Sequence, residues 1–384
     1  MEVAVVCKLM PLYRLGLFKE LSRKRRDVNV TILGDTKGQK GIRTISLENV
    51  HYEELKKLNW AKTKNYFYRP DLLLWQTGIV KRIVGGKFEV FVFEGAISHI
   101  GIWIFAILCK LFRRKVIFWT HGDKGLDHGL KRQLRKLLFD VLGDGLFLYG
   151  RTQKQIMVCK GYNPQKLFVI NNSLDFERQL LEQSNLKATK VTRLKSQLSF
   201  KNKAFTILFI GRLVPNKQID EVVKAVGSLK NRGHLINCII IGEGPEKDCL
   251  LGLVKELCLE DQVRLAGAIY EERELAKYFQ ISDLLVSPGN VGLNCIHALA
   301  YGVPVLTHND FSFQNPEVEA IEDGVSGTLY EYGNMSDMTD KLEYWYKNKA
   351  KNSEMKKKCR MEIEKRYNPS YQSEQMINAL KKLT

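Results

Sequence analysis

Ser287-Pro-Gly-Asn-Val-Gly-Leu-Asn-Cys-Ile-His-Ala-Leu-Ala-Tyr-Gly-Val-Pro-Val305 is a loop with two glycines, Gly289 and Gly292, running into a short helix. The helix should stop at Gly302, where glycine suits a left-handed C-terminal cap, and Pro304 lies just beyond. Val303 to Thr307 then reads as a short apolar strand. A helix start offers unblocked N–H groups and the positive end of a dipole, so it attracts anions. Gly292 carries no Cβ, which lets a phosphate approach the backbone there. An ordinary loop–helix–strand unit of an α/β domain shares this pattern, and the rest of the chain has to decide between the two.

Upstream, the same alternation continues. Phe205 to Ile210 reads as a strand, Gly211-Arg-Leu-Val-Pro-Asn-Lys217 as a turn, and about Ile219 to Arg232 as a helix. Ile236 to Ile241 is a strand closed by Gly242-Glu-Gly-Pro245, and Val263 to Ala266 and Leu284 to Ser287 are further strands. Arg212 and Lys217 flank a strand-to-helix turn at the sheet edge that also carries the 287–292 loop. They would aim two cations at whatever the helix start holds, as a diphosphate requires. Two solvated surface cations are the plainer reading.

In the first half, Val3 to Cys7, Val28 to Leu33, Phe88 to Phe93, Lys115 to Trp119, Leu146 to Tyr149 and Leu167 to Ile170 read as strands. Helical patterns between them, such as Leu130 to Leu142, imply a mostly parallel, doubly wound sheet. Residues 37 to 64 carry no clear pattern. Pro11-Leu-Tyr-Arg14, Glu94 and His121-Gly122-Asp123 all follow strands, at the carboxyl edge where open α/β sheets bind ligands. Gly95 to Cys109 has no acidic residue, lysine or arginine, and Lys110, Arg113, Arg114 and Lys115 follow it. Its length falls short of the roughly 20 residues that span a bilayer. It reads as a buried helix or as one dipping into a membrane surface.

The 384 residues imply two domains, and 45% apolar content is that of a globular protein with ample core. Residues 1–174 carry 31 lysines and arginines against 14 acidic residues, a net +17, while residues 175–384 carry 29 against 28. Such asymmetry points to an anionic partner for the first half: nucleic acid, an anionic membrane face or a pyrophosphate-bearing substrate. The eight cysteines are scattered without a C-x-x-C, which reads as reduced, mostly buried thiols of a cytoplasmic protein. The N-terminal Met-Glu-Val-Ala-Val-Val lacks the pattern of a signal peptide.

At this point the residues resemble the retaining glycosyltransferases of family 4, in the branch that builds bacterial surface polysaccharides. Gly211-Arg-Leu-Val-Pro-Asn-Lys217 is similar to the family's diphosphate-binding G-R-L-x-x-x-K, and Ile241-Gly-Glu-Gly-Pro245 to its next turn. Val169-Ile-Asn-Asn-Ser-Leu-Asp175 resembles the V-I-P-N-G-V-D before the interdomain segment, and Ile321-Glu-Asp-Gly-Val-Ser-Gly327 the E-D-G-x-x-G turn. Pro11-Leu-Tyr-Arg14 and His121-Gly122 resemble the surface-polysaccharide branch. The resemblance implies a GT-B fold, two Rossmann-like doubly wound α/β domains facing across a cleft. It implies an acceptor-binding domain at 1–174, a connection at 175–203, a nucleotide-sugar-binding domain at 204–365, and a last helix at 366–384 returning to the first domain.

One departure is large. The family's E-x7-E glutamates, which contact the donor sugar and the ribose, fall on Gly289 and His297. Glu354 and Glu362 have the right spacing but lie in a lysine-rich helix and read as coincidence. A histidine can donate or accept to a ribose hydroxyl, whereas the sugar contact at 289 is left to backbone or to Asn290.

The implied reaction moves a sugar from a nucleotide-sugar donor, UDP-linked, to a glycan or polyprenyl-pyrophosphate-linked acceptor with retention. It needs no metal and no cofactor, and the sequence has no D-x-D. Arg212, Lys217 and the Gly292 helix start would stabilise the leaving diphosphate, and His121 would position sugar or acceptor. The implied donor contacts are Arg14, Gly211, Gly242, Gly289, Asn290, Gly292, Leu293 and His297. The expected location is cytoplasmic, peripheral at the inner face of the cell membrane. A sugar-nucleotide 2-epimerase and a catalytically silent sugar-binding relative are the rival readings; nucleic-acid binding lacks a motif.

Overall fold

The computed structural model describes residues 1–37, 43–45, 50, 52–69, 73–96, 98–123, 129–200, 205–348 and 353–383. They form two compact units, Met1–Asp175 with Asn368–Thr384, and Phe176–Tyr367.

In the first unit the strands are β1 (Glu2–Leu9), β2 (Asn29–Asp35), β3 (Trp60–Lys62), β4 (Asn65–Arg69), β5 (Leu73–Gln76), β6 (Val90–Glu94), β7 (Lys115–Thr120), β8 (Gly145–Leu148) and β9 (Leu167–Val169). Seven of them pair in the order β3-β2-β1-β6-β7-β8-β9, every neighbour parallel. Strand alternation divides the core in two: Val3, Val5 and Cys7 join one cluster, Ala4 and Val6 the other. Helices Leu15–Ser22 and Pro369–Leu383 cover the first cluster. Helices Ile79–Val84, Ile100–Leu111 and the π-helical Leu137–Leu142 cover the second.

β4 and β5 form a separate antiparallel pair that sequence reading did not find. The mixed polar–aromatic Asn65-Tyr-Phe-Tyr-Arg69 gives little alternation to read. Ile100–Leu111 buries Ile102, Phe105, Ala106 and Cys109 while exposing Ile100, Ile104 and Ile107, so one face of this stretch lies in the core and the other is exposed. Among the described residues no helix is long and apolar enough to cross a membrane.

The second unit has β10 (Phe205–Ile210), β11 (Ile236–Ile241), β12 (Val263–Gly267), β13 (Leu284–Ser287), β14 (Val305–His308) and β15 (Gly327–Tyr330). They pair in parallel in the order β12-β11-β10-β13-β14-β15. Residues 175–203, expected as a connection, contain helices Phe176–Ser184 and Ala188–Leu198, which pack on helix Glu272–Ile281 in this unit. The boundary drawn at 203/204 lies outside the described residues. Of the eight cysteines, Cys7, Cys109, Cys238, Cys295 and Cys359 are buried, whereas Cys159, Cys249 and Cys258 are exposed.

In each sheet the strand order reverses once, between β1 and β6 and between β10 and β13. The crevices outside the carboxyl ends at those switch points are where open α/β sheets bind ligands.

Candidate functional site

At the switch point of the second sheet, three glycine turns are fitted together by backbone contacts. Gly211 N–H donates to the Ile241 carbonyl at 3.0 Å, and Leu213 N–H to that of Glu243 at 3.0 Å. Gly242 has φ +159°, and a Cβ there would stand 1.9 Å from the Gly211 oxygen. Only glycine lets these two turns meet. The 3₁₀ turn Pro215–Lys217 then folds over the 287–292 loop, with Gly289 N–H donating to the Lys217 carbonyl at 3.2 Å.

Lys217 is the cation that this folding delivers to the helix start. Its ammonium donates to both the carbonyl oxygen and Oδ1 of Asn290. Burial and the nearby charge of Arg212 push its pKa down to about 8, with Glu317 opposing in part. Arg212 itself is exposed. Gly292, at φ +54° and ψ −146°, turns the chain into helix Leu293–Ala300, a conformation that favours glycine. The helix start therefore faces the turn with the first amides and the positive dipole end.

Side chains outside the predicted set hold this loop in place. Gln314 accepts from Val291 N–H at 3.0 Å and donates to Thr307 Oγ1 at 2.8 Å and the His308 carbonyl at 3.0 Å. Tyr330 donates to the Pro288 carbonyl at 3.1 Å, and the Asn294 amide donates to the Ile210 carbonyl. None of these carries a sequence signal: the contacts to Val291, Pro288 and Ile210 span 23 to 84 residues, and no periodic pattern marks the shorter ones to Thr307 and His308.

His297 is placed differently from its expected neighbours. It is buried, with Nε2 2.8 Å from Glu272 Oε1, and the Tyr301 hydroxyl donates to the same oxygen at 2.7 Å. The Phe279 ring stacks on Tyr301 with centroids 4.7 Å apart. Burial pushes the Glu272 carboxyl up, but His297 and Tyr301 outweigh it, with Arg178 adding to them, and the pKa ends below the ordinary range. With Nε2 engaged, any ribose contact from this ring falls to Nδ1. The four-residue spacing of His297 and Tyr301 puts both on one helix face, but Glu272 comes from another helix and was missed. Glu354 and Glu362 are occupied within their own helix by Lys358 and Arg366.

In the first unit a cavity of about 500 Å³ opens at the carboxyl ends of β1, β6, β7 and β8, and both residues predicted there, Arg14 and His121, line it. Arg14 is buried: Nη1 donates to Glu94 Oε1 at 3.1 Å, Nη2 to the Tyr149 hydroxyl at 2.9 Å, and its guanidinium lies 4.2 Å from the Trp119 ring centre. Glu94 also accepts from Lys8 N–H at 3.0 Å. This places Arg14 in the cavity wall with Nη1 and Nη2 engaged, while its buried Nε has no hydrogen-bond partner. His121 is exposed, its ring 4.7 Å from that of Tyr149. Lys131 and Arg135, which sequence reading did not select, add two cations to the lining. Asp123 is buried and paired with Lys160 at 2.9 Å.

The structure thus brings Gly211, Arg212, Lys217, Gly242, Gly289, Asn290, Gly292 and Leu293 to one sheet edge of the second unit, with His297 buried a turn further along the helix. Arg14 and His121 share the cavity of the first.

Residues 190–362 match a family model described as Glycosyl transferases group 1. The alpha-monoglucosyldiacylglycerol synthase of Streptococcus pneumoniae is 29% identical over 161 residues, 41% of this chain and 34% of that protein. A Campylobacter jejuni protein, N-acetylgalactosamine-N,N'-diacetylbacillosaminyl-diphospho-undecaprenol 4-alpha-N-acetylgalactosaminyltransferase, is 30% identical over 201 residues, 49% of each chain. The chain therefore spans about a third to a half of the length of these curated relatives. The Anabaena protein HepE, solved in complex with UDP, superposes with a TM-score of 0.74 at 15% identity, covering 99% of both chains. That likeness shows the fold, which is GT-B, with two Rossmann-like units.

Proposed function

We propose that this chain, whose residues 190–362 match the Glycosyl transferases group 1 model, transfers a sugar from a nucleotide-sugar donor to a glycan or lipid-linked acceptor, with retention. The observation that carries the reading is the meeting of Lys217, Arg212 and the Gly292 helix start at one switch point. As the C1–O bond breaks, negative charge gathers on the diphosphate. Lys217, held by Asn290, and the helix start are already in place and lower that barrier without reorganising, and the exposed Arg212 adds a second cation. Gly211 and Gly242 allow the backbone to approach the phosphates, and Asn290 and Leu293 complete the helix start. His121, from the first unit, is assigned to positioning sugar or acceptor.

The UDP complex of HepE supports UDP as the nucleotide. The names of the pneumococcal and Campylobacter relatives support a lipid-borne acceptor, and we propose that the chain works on it at the inner face of the cell membrane. The +17 charge of residues 1–174 fits an anionic surface there.

One observation favours a second reading, a relative that binds the donor without turning it over: Gly289 stands where a carboxylate would touch the donor sugar, and there is no room for a side chain. Incubation with a panel of sugar nucleotides, with and without a polyprenyl-pyrophosphate-linked acceptor, separates the readings. Acceptor-dependent release of nucleoside diphosphate supports transfer, and binding without turnover supports the second reading. Isomerised donor would overturn both. In calorimetric titration with UDP, Arg212→Ala and Lys217→Ala are each expected to lose ~1.5–3 kcal/mol of affinity. Unchanged affinity in both would sink the diphosphate site.

A further inference from the structure

We propose that the outer faces of two adjacent helices of the first unit form a docking surface for an anionic lipid bilayer. The first is Ile100–Leu111, and the second is Gly129–Lys136 with its continuation Leu137–Leu142. The two touch, and their inner sides share one core cluster through Ile102, Phe105 and Cys109 and through Leu138 and Phe139. Their outer sides carry apolar residues at the same helical offsets. Ile100, Ile104, Ile107 and Leu111 are 38–71% exposed, and Leu130, Leu134, Leu137 and Val141 are 41–69% exposed. Spacings of four, three and four keep each set on one stripe of its helix. A soluble surface has isolated apolar residues, whereas two contiguous stripes side by side mark an interaction face.

Charge selects the occupant. Residues 100–115 contain no acidic residue and end in Lys110, Arg113, Arg114 and Lys115, of which Lys110 pairs with Asp144 at 2.7 Å and Lys115 lies 3.9 Å from the same carboxylate. Residues 129–142 hold Lys131, Arg132, Arg135 and Lys136 against the single Asp140, which lies 4.0 Å from the Lys136 ammonium. Helices with exposed apolar stripes and an excess of cations match acyl chains and anionic headgroups. A second copy of this chain would set cations against cations. Lys131 and Arg135 also line the cavity that holds His121. One helix would thus rest on the bilayer and present a cationic cavity at headgroup level, where the pyrophosphate of a lipid-linked acceptor would lie.

The purpose of this face rests on the proposed acceptor, but bilayer contact needs neither donor nor acceptor, so the two can fail separately. The test is co-sedimentation with vesicles of phosphatidylcholine alone and of phosphatidylcholine and phosphatidylglycerol in equal amounts, at low and high salt. The parent is expected to bind the mixed vesicles at low salt and to be partly released by salt. A quadruple variant, Ile104→Ser, Ile107→Ser, Leu134→Ser and Val141→Ser, should partition roughly tenfold or more weakly. The exposed Leu251→Ser in the second unit should change nothing. Circular dichroism checks folding, and if the quadruple variant is unfolded the pair Ile107→Ser and Leu130→Ser takes its place. The proposal is overturned if the parent fails to bind mixed vesicles at low salt, binds both compositions equally, or binds as strongly with the stripes removed. A solution dimer of the parent that the same substitutions dissociate would also overturn it, assigning the face to a second copy. UDP titration of the same variants reports on the transferase reading independently and should match the parent.

Discussion

A Cβ placed on Gly289 would lie 2.3 Å from the carbonyl oxygen of Asn216 and 2.8 Å from the Cα of Lys217. The turn that carries Lys217 to the helix start therefore occupies the space a side chain at 289 would need. In this chain the path of the Lys217 turn and the lack of side-chain space at 289 are one packing arrangement. Gly289→Ala is expected to destabilise the chain by ~1–3 kcal/mol, as overpacking does, and to weaken UDP binding by displacing Lys217. Gly289→Glu should be worse on both counts and should not raise transfer. Thermal unfolding and UDP titration check this, and an alanine variant as stable as the parent would refute the account.

Arg14 lies in the cavity wall of the first unit with its guanidinium shared between Glu94, Tyr149 and the Trp119 ring. Arg14→Met strips Glu94 of its ion-pair partner. With Glu94 partly exposed, the expected loss is about 2–3 kcal/mol of stability, with UDP affinity unchanged. A drop in UDP affinity at unchanged Tm would instead return Arg14 to the donor.

Three strands of the second sheet, Phe205–Ile210, Ile236–Ile241 and Leu284–Ser287, have the bounds read from sequence because each is a short apolar run closed by glycine or proline, whereas Gly327–Tyr330, followed by Glu331, was not read. Lys217 and Gly292 were legible for the same reason, since turn chemistry is local. What fixes them was not. Glu272, Gln314 and Tyr330 reach their partners across the fold, and a single sequence has no periodicity that encodes such pairs. The basic first half suggested an anionic partner, but total charge cannot show on which face apolar stripes lie.

The carboxylate of Glu272 accepts from Tyr301 and pairs with the ring of His297 inside the second unit. Glu272→Gln should lower stability at neutral pH by ~1–3 kcal/mol. The folded-state pKa of Glu272 lies below the ordinary value of 4.5. Its contribution is therefore complete above that value and is lost as pH falls through the folded pKa. The gap in Tm between parent and variant should close on acidification. His297→Gln, which keeps a donor and an acceptor, should retain more UDP affinity than His297→Ala. If both histidine variants bind like the parent, the ring serves only packing.

The pKa of Lys217 in the free chain, pushed down to about 8 by burial and Arg212, makes diphosphate binding pH-dependent in a direction that can be worked out. Only the ammonium attracts the diphosphate, and the diphosphate in turn stabilises the ammonium, so binding raises the pKa. Below about 8 the lysine is already charged and affinity is at its plateau. Above it, each pH unit removes roughly tenfold of the charged form and hence of affinity, until the raised pKa of the complex is reached. The diphosphate does not confound this, because its last ionisation lies near ~6. Titration at pH 8 should therefore take up about half a proton, measured as the dependence of apparent enthalpy on the ionisation heat of the buffer. Lys217→Met should bind more weakly and lose both the slope and the proton uptake. Affinity that stays flat from about pH 7 to about pH 9.5 would show that the lysine is not the group facing the diphosphate.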